Sequence, residues 1–376
     1  MKKFYVHILG CQQNEHDGTR IKYLLENLGL AESKPEEADL IIVVACSVRQ
    51  TAVDRVFGNV RNWQKRPATL AKGQPATSPP GRALPSGRRH QPPVILVTGC
   101  VLDSDKKKFA QRGVGFWDIE KPEELAKLYK FSDRKKSIVK LLVEGARFSS
   151  FVPIMFGCNN FCTYCATAFT RGRERSRKMS DVILDVKNLI LKGEKEILLL
   201  GQTIDSYKDP ETDAKLDTLF KKLNDLDGNF IISFTSNHPK DMTDKIIEAV
   251  ATLPKIKKEI HLPIQSGSNK ILKAMNRPYT RKQYLKIIKK IKSANKSIGI
   301  TTDVIVGFPG ETEKDFEQTV DIFKKVLYKM AYINKYSPRA GTAAYKLGDP
   351  ISWQEKKRRW KILDKILRTS SDKFAK

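Results

Sequence analysis

Short apolar runs rich in β-branched residues mark the first part of the chain. They cover residues 4–9, 40–44 and 94–97, and each ends at or just before a cysteine. Segment 17–28, between the first two runs, carries apolar residues at helical spacing and stops at Gly29. Runs of this length and composition are typical of buried parallel strands. The pattern predicts an N-terminal open parallel α/β sheet, which we assign to a domain of residues 1–130.

A longer alternation of strand-like and helical segments begins at about residue 150. The strand-like runs lie at residues 152–156, 197–200, 230–234, 259–264, 302–306 and 331–336. Helical stretches between them include residues 180–192, 216–226 and 281–293. A repeated βα unit closes into a full or partial barrel, whose sites lie after the strands. We therefore predict a partial (β/α) barrel domain over residues 145–376, giving an α/β protein of two domains.

Two further segments differ from this pattern. Residues 65–92 contain six prolines and three glycines but no acidic or aromatic residue. Such a segment buries too little apolar surface to order itself, so we predict a disordered basic insert; a recent insertion or a reading-frame error would give the same composition. Residues 353–374 have the pattern of a basic amphipathic helix.

The charge of the chain points to an anionic partner. The chain has 376 residues, and Lys and Arg total 69 against 42 Asp and Glu, a formal net charge of +27. RNA, DNA or an anionic membrane fits this excess, and lysines that only favour solubility are the alternative. No apolar run approaches the roughly 18 residues of a membrane span. The first residues also lack the continuous apolar stretch of a signal peptide, so we expect a cytoplasmic protein.

The most specific motif is a C-x3-C-x2-C loop directly after the first barrel strand. Cys158, Cys162 and Cys165 could hold three irons of a 4Fe-4S cluster and leave the fourth iron open to S-adenosylmethionine. Tyr164 would then cover the adenine side. A zinc knuckle is the alternative, but zinc usually takes four ligands, and no histidine or fourth cysteine lies within twenty residues of the loop.

The other three cysteines, Cys11, Cys46 and Cys100, have no local spacing motif. Each could be an ordinary buried small residue, the commonest fate of a free cysteine. All three, however, follow strands of the predicted parallel sheet, whose carboxyl ends share one edge. They are therefore predicted to converge and to hold a second cluster with an open iron that could bind sulfur.

Several motifs extend along nearly the whole chain: GCQQNEHD, ACSVRQTAVDRVFGNV, TGC, CNNFCTYC, TRGRERSR, LLGQTIDSY, FTSNHPKDM, HLPIQSGSNKILKAMNRPYT, DVIVGFPGETEKDFEQT and YSPRAGTAA. With these motifs the chain resembles the methylthiotransferase family of radical S-adenosylmethionine enzymes, and within it the branch acting on dimethylallyladenosine in tRNA. The threonylcarbamoyl-adenosine branch and the ribosomal-protein aspartate branch are the enzymatic alternatives. A non-catalytic RNA-binding protein with structural metal is the alternative from another class.

The resemblance implies two 4Fe-4S clusters and S-adenosylmethionine as cofactors. By resemblance, the loop cysteines hold the radical-generating cluster and the N-terminal cysteines hold the auxiliary one. The family uses one S-adenosylmethionine to methylate a cluster-bound sulfur and a second to generate the 5′-deoxyadenosyl radical, which abstracts hydrogen from carbon 2 of adenine. The expected partners are tRNA, a reducing electron donor and a sulfur donor, with no membrane; we expect a monomer.

Further predictions concern residues that follow the barrel strands. Gly307 and Gly310, by family analogy, line the S-adenosylmethionine pocket, although a simple helix start explains them as well. Gln202 and Gln265 could bind cofactor or nucleoside, or be ordinary loop residues. The alternating arginines after the cysteine loop suit phosphate contacts, with solvated charge as the alternative. They are Arg171, Arg173, Arg175 and Arg177.

The chain departs from the family pattern in several places. Ala45 stands where threonine is common, and Thr203 replaces the usual asparagine. The loop after Cys165 reads Ala-Thr-Ala-Phe, where bulkier aliphatic residues and proline are typical. The family also continues into a small β-barrel RNA-binding domain, which we expect to be absent here. None of these departures removes a predicted cluster ligand.

Overall fold

The chain divides into two units. A computed structural model describes residues 2–47, 50–65, 92–129 and 150–371, with 138, 140–142 and 145 in addition. The first unit comprises Met1–Ser47 and Thr51–Ala146, and the second Val48–Gln50 and Arg147–Lys376. Apart from residues 65 and 92, the predicted disordered insert lies outside the described residues.

The first unit is a parallel α/β sheet, as the sequence predicts. Its strands run in the order β2-β1-β3-β4-β5, and every pair is parallel. The strands are β1 Lys3–Ile8, β2 Ala31–Glu32, β3 Leu40–Cys46, β4 Val94–Cys100 and β5 Gly115–Phe116. The helices are α1 Gln12–Asn27, α2 Gln50–Gln64, α3 Asp103–Ala110 and α4 Glu123–Leu128. Apolar clusters cover both faces of the sheet, which explains the uninterrupted apolar run of β3.

Helix α1 begins earlier than the apolar periodicity predicts. It starts at Gln12, whereas the periodic segment starts at residue 17. The additional turn contains Gln13, Asn14 and His16, which are polar and nevertheless buried. A hydrophobic pattern cannot mark a helical turn that buries polar side chains, so the prediction of this boundary was wrong.

The second unit is the partial barrel that the alternation predicts. Its parallel strands form two groups, β10-β9-β6 and β11-β12-β13. They are β6 Phe151–Pro153, β9 Glu196–Leu200, β10 Ile231–Phe234, β11 Glu259–His261, β12 Gly299–Val306 and β13 Met330–Lys335. A small antiparallel pair, β7 Met155–Phe156 and β8 Arg175–Ser176, flanks the cysteine loop. Strand β11 ends three residues before the predicted boundary.

Helices surround the strands of the second unit. They are α5 Thr167–Thr170, α6 Met179–Leu191, α7 Leu216–Asn224, α8 Asp244–Thr252, α9 Asn269–Ala274, α10 Arg281–Ala294, α11 Glu313–Val326 and α12 Trp353–Ser371. One large apolar cluster joins the inner faces of both strand groups to all of these helices except α5. Among the described helices, none is long and apolar enough to cross a lipid bilayer.

The last helix, α12, is attached to the barrel by polar contacts. Trp360 Nε1 donates to Ile333 O at 3.0 Å, and Lys356 Nζ donates to Tyr336 O at 3.0 Å. Arg359 forms a buried ion pair with Glu311, with Nη1 and Oε2 2.7 Å apart. The predicted amphipathic helix therefore packs against β13 and the turn after β12.

Candidate functional site

The cysteine loop after β6 and β7 is held from two sides. Thr163 N donates to Met275 O at 3.1 Å, and Thr163 Oγ1 donates to Ala274 O at 2.8 Å, at the end of α9. On the other side Gly157 has a φ of +73°, and a Cβ there would stand 2.1 Å from Arg173 O. Only glycine fits this approach. The backbone of the loop is thus fixed before any ligand binds.

Each of the three loop sulfurs has polar groups directed at it. Cys158 Sγ lies 3.3 Å from Thr203 Oγ1, and Asn160 N donates to the same sulfur at 3.4 Å. Thr167 N donates to Cys165 Sγ at 3.4 Å. Burial, together with the neighbouring Cys162 and Cys158, raises the pKa of the Cys165 thiol to about 11. A bound cation would reverse this effect, because a coordinating thiol is deprotonated.

The third sulfur, Cys162 Sγ, accepts a hydrogen bond from a buried arginine. Arg277 is 7% exposed, and its Nη1 lies 3.4 Å from the sulfur. Its Nε donates to Tyr279 Oη at 3.0 Å and its Nη2 to Pro263 O at 3.3 Å. Burial opposes the charge of the guanidinium, but the adjacent Tyr164, Tyr279 and Cys162 raise its pKa. A permanent positive charge therefore lies against one predicted cluster ligand.

A cavity of about 280 Å³ opens beside the loop, at the carboxyl ends of the strands. Its wall includes Tyr164, Cys165 and Gln265, and burial raises the pKa of the Tyr164 phenol well above its usual range. Asp303 also lines it, with Oδ2 3.2 Å from Nε2 of His261. The cavity combines an aromatic wall, a predicted cluster ligand and hydrogen-bonding groups, which suits a small ligand with an aromatic ring.

The predicted glycine pair lies elsewhere. A Cβ at Gly307 would stand 2.4 Å from Cγ of the buried Lys356. The absence of a side chain at Gly307 therefore makes room for the side chain of Lys356. Gly307 N donates to Glu311 Oε2, and nothing lies within 4 Å of a Cβ built at Gly310. Neither glycine belongs to the lining of the cavity, nor does Gln202. Their cofactor contacts stay predictions.

The four arginines after the loop have different surroundings. Arg177 Nη2 forms an ion pair with Asp185 at 2.7 Å, and its Nη1 donates to Pro153 O, so an RNA contact would require this pair to open. Arg173 and Arg175 are exposed, and among the described residues neither pairs with a carboxylate. Arg171 is partly buried. RNA binding by the four stays a prediction.

The N-terminal cysteines lie at one edge of their own sheet. Cys46 and Cys100 are register partners at the ends of the adjacent strands β3 and β4. Cys11 directly precedes α1, and a Cβ on the preceding residue, Gly10, would stand 2.9 Å from Cβ of Cys46. Asn14 Nδ2 donates to Leu9 O and Ala45 O, which joins the two strand ends. Cys11 is exposed, and Cys46 and Cys100 are partly buried.

Both cysteine groups fit the predicted clusters in residue type and position. Within the described parts of the chain, no three His, Cys, Asp or Glu side chains are arranged to hold a single metal ion. In a 4Fe-4S cluster the thiolates bind different irons. Support for the clusters therefore comes from the thiols and, in the loop, from the donors aimed at its sulfurs.

Sequence reasoning missed several residues of the loop site. It did not single out Arg277, which contacts Cys162 Sγ, or Asn276, whose Nδ2 donates to the carbonyl oxygens of Asn160 and Phe161. Thr203 appeared only as a departure from the family pattern, yet its hydroxyl contacts Cys158. No local signal in the run MNRPYT marks Arg277, because an arginine is usually exposed and is buried only where the fold provides a partner.

Comparison with known proteins defines the class of protein. The family profile "Radical SAM superfamily" matches residues 152–323, and "Uncharacterized protein family UPF0004" matches residues 3–116. The radical S-adenosylmethionine methyltransferase TsrM from Kitasatospora setae has a similar fold: TM-score 0.61, 10% identity, 92% of this chain and 75% of that chain covered. The cobalamin-dependent radical enzyme OxsB gives a TM-score of 0.54 at 11% identity, covering 97% of this chain and 56% of that one. The second unit is a radical S-adenosylmethionine fold.

The relatives in sequence define the family. A tRNA-2-methylthio-N(6)-dimethylallyladenosine synthase of Alkaliphilus oremlandii is 38% identical over 99% of this chain and 79% of its own length. The synthase of Carboxydothermus hydrogenoformans is 37% identical over 95% of this chain and 81% of its own. The chain belongs to the tRNA-2-methylthio-N(6)-dimethylallyladenosine synthase family.

Proposed function

We propose that this chain attaches a methylthio group to carbon 2 of N(6)-dimethylallyladenosine next to the anticodon of tRNA. The observation that carries the proposal is the division of the cysteines into two groups of three. One group lies at the mouth of a partial barrel and the other at the carboxyl edge of the N-terminal sheet. Sulfur insertion at an inert carbon requires both a radical source and a sulfur source, which two separate sites can supply.

The loop site binds and orients the radical cofactor in this proposal. Cys158, Cys162 and Cys165 would hold a 4Fe-4S cluster, and this group would supply the electron chemistry for cleavage of S-adenosylmethionine. The chain's own contribution is placement and charge. The Thr203 hydroxyl and the Arg277 guanidinium direct positive dipoles or charge at the sulfurs, which stabilises their anionic form. Tyr164 offers the adenine an apolar wall.

The walls of the cavity hold the reacting groups in place. Asp303 Oδ2 accepts hydrogen bonds, and His261 fixes its orientation, because His261 Nδ1 is itself 2.9 Å from Thr301 Oγ1. Gln265 adds an amide on the same wall. These groups suit the hydroxyl and amino groups of a nucleoside.

The sheet-edge site supplies the sulfur. Cys11, Cys46 and Cys100 would hold the second cluster, and this group would supply a binding place for exogenous sulfur. Asn14 is fully buried and fixes the two strand ends that carry the thiols. Arg173 and Arg175 meet the phosphates of the tRNA. An electron donor and a sulfur donor complete the reaction, and the chain works as a monomer in the cytoplasm.

Alanine variants of the two cysteine groups test this proposal, and each group serves as the control for the other. Replacing Cys158, Cys162 or Cys165 is expected to abolish cleavage of S-adenosylmethionine. Replacing a cysteine of the sheet-edge group is expected to preserve cleavage and to stop methylthiolation. Anaerobic iron analysis of the unaltered chain should find about eight irons. Methylthio product from a sheet-edge variant would contradict the proposal.

A further inference from the structure

Two phenylalanines and one arginine form an exposed group beside the cysteine loop. Phe161 is 36% exposed and Phe169 is 56% exposed. Their ring centroids lie 6.3 Å apart with the planes nearly perpendicular, at 79°. The guanidinium carbon of Arg173 lies 4.4 Å from the centroid of Phe161. We call these three residues the aromatic platform.

The backbone holds Phe161 at the surface by an unusual conformation. Its φ of +46° lies in the left-handed region, which a bulky residue rarely adopts. Asn276 Nδ2 stabilises this conformation by donating to Asn160 O and Phe161 O, both at 3.1 Å. Backbone strain of this kind persists where the surroundings enforce it, and it clusters at ligand sites. An exposed ring in an enforced conformation therefore indicates a surface prepared for binding.

The platform lies next to the mouth of the cavity. Ala166 is part of the cavity lining, and its carbonyl oxygen accepts a hydrogen bond from Phe169 N at 3.0 Å. Phe169 is thus within one helical turn of the cavity. Phe161 belongs to the loop that carries Cys158 and Cys162. A polymer with one unit in the cavity would place a neighbouring unit over the platform.

The positive charge and the exposed rings indicate which class of polymer would bind here. Arg173 has no carboxylate partner among the described residues, and the chain carries a formal charge of +27. Exposed aromatic rings next to an uncompensated cation are the elements with which proteins bind unpaired bases, by stacking and by cation–π contact. We propose that the aromatic platform stacks an unpaired base flanking the modified adenosine of the RNA substrate. The proposal rests on the proposed function, which takes RNA as the substrate.

Binding to a hairpin RNA with a single-stranded loop tests the platform. Fluorescence anisotropy would use the full chain, loaded with iron, and compare Phe161→Leu and Phe169→Leu with Phe161→Tyr and Phe169→Tyr. The leucine variants keep an apolar side chain but lose the aromatic face. Their Kd should rise by roughly 5- to 150-fold, the range for loss of one stacked base. The tyrosine variants keep the aromatic face and should bind as the unaltered chain does. Binding to a fully paired RNA should not change.

The salt dependence of Kd separates stacking from phosphate contact. The leucine variants should keep the slope of log Kd against log salt, because they remove no phosphate contact. The inference would be overturned if the leucine variants bound the hairpin as tightly as the unaltered chain does. An equal loss in the tyrosine variants would overturn it too, because it would show a role for loop shape only. So would self-association that the leucine variants abolish without changing RNA affinity.

These results are separate from the test of the proposed function. If the unaltered chain forms no methylthio product, the reaction assignment fails, whatever the variants bind. If it forms product and the leucine variants bind RNA as tightly as it does, only the platform fails.

Discussion

Replacing Arg277 by methionine removes the buried guanidinium that contacts the cysteine loop. The side chain makes hydrogen bonds to Cys162 Sγ, Tyr279 Oη and Pro263 O, at 3.4, 3.0 and 3.3 Å. A hydrogen bond to a charged group contributes roughly 1.5–3 kcal/mol, and two of these are long, so the lower end applies to them. Removing the guanidinium also removes the cost of burying it. We therefore expect the free energy of unfolding to fall by about 3 kcal/mol.

Differential scanning calorimetry of the iron-loaded chain measures this change. For a unit of this size, about 3 kcal/mol corresponds to a decrease in Tm of roughly 6–12 °C. The Tm of Arg277→Lys should decrease less, because lysine keeps the positive charge although it lacks the several N–H donors of the guanidinium. Tyr279→Phe, which removes the hydroxyl that accepts from Arg277 Nε and donates to Ile264 O at 2.9 Å, should cost about 1–2 kcal/mol. A Tm of Arg277→Met equal to that of the unaltered chain would refute the structural importance of this contact.

Three further changes test other parts of the structure. Burial, with the charges of Arg277 and Lys240, lowers the pKa of His238 to about 2, so the unfolded chain binds the proton more readily and stability falls as pH drops below about 6.5. His238→Asn keeps an acceptor for Lys240 N, and chemical denaturation should show that it removes up to about 1.4 kcal/mol per pH unit of this loss of stability. Parallel profiles of unfolding free energy against pH for the two proteins would contradict this prediction. Arg359→Met leaves the Glu311 carboxylate buried without its cation and should destabilise by about 3–5 kcal/mol in denaturant melts, more than the double variant with Glu311→Gln; equal losses would argue against the pair. Gly10→Ala would bring a Cβ within 2.6 Å of Asn14 Nδ2 at a φ of +132°, so iron analysis should find about half the iron and cleavage of S-adenosylmethionine should persist; full iron content would contradict the sheet-edge assignment.

The arrangement of strands could be predicted because strand burial is visible in sequence. The run of β3, Leu40–Cys46, is apolar throughout because both of its faces are covered, and the carboxyl ends of parallel strands share an edge. That geometry places Cys46 beside Cys100 without any spacing motif. By contrast, the first turn of α1 carries polar residues in buried positions, so the periodic pattern begins too late.

The polar contacts of the site were less predictable. Arg277 reaches Cys162 across 115 positions of sequence, and local patterns do not encode such a contact. Gly307 illustrates a different limit, since a glycine predicts a close approach but not which group approaches. The family pattern predicts a cofactor near Gly307, which stays a prediction, and the structure brings the side chain of Lys356 close to this glycine. Residue type predicts the chemistry of a position better than it predicts the partner.

Nucleoside mass spectrometry tests the central claim most directly. The chain is expressed in a bacterial strain that lacks its own methylthiotransferase, and the tRNA is digested and analysed. The proposal predicts 2-methylthio-N(6)-dimethylallyladenosine with the unaltered chain and none with Cys46→Ala or Cys162→Ala. A methylthio group on threonylcarbamoyl-adenosine instead, or no methylthio nucleoside from an iron-loaded chain that cleaves S-adenosylmethionine, would contradict the assigned reaction.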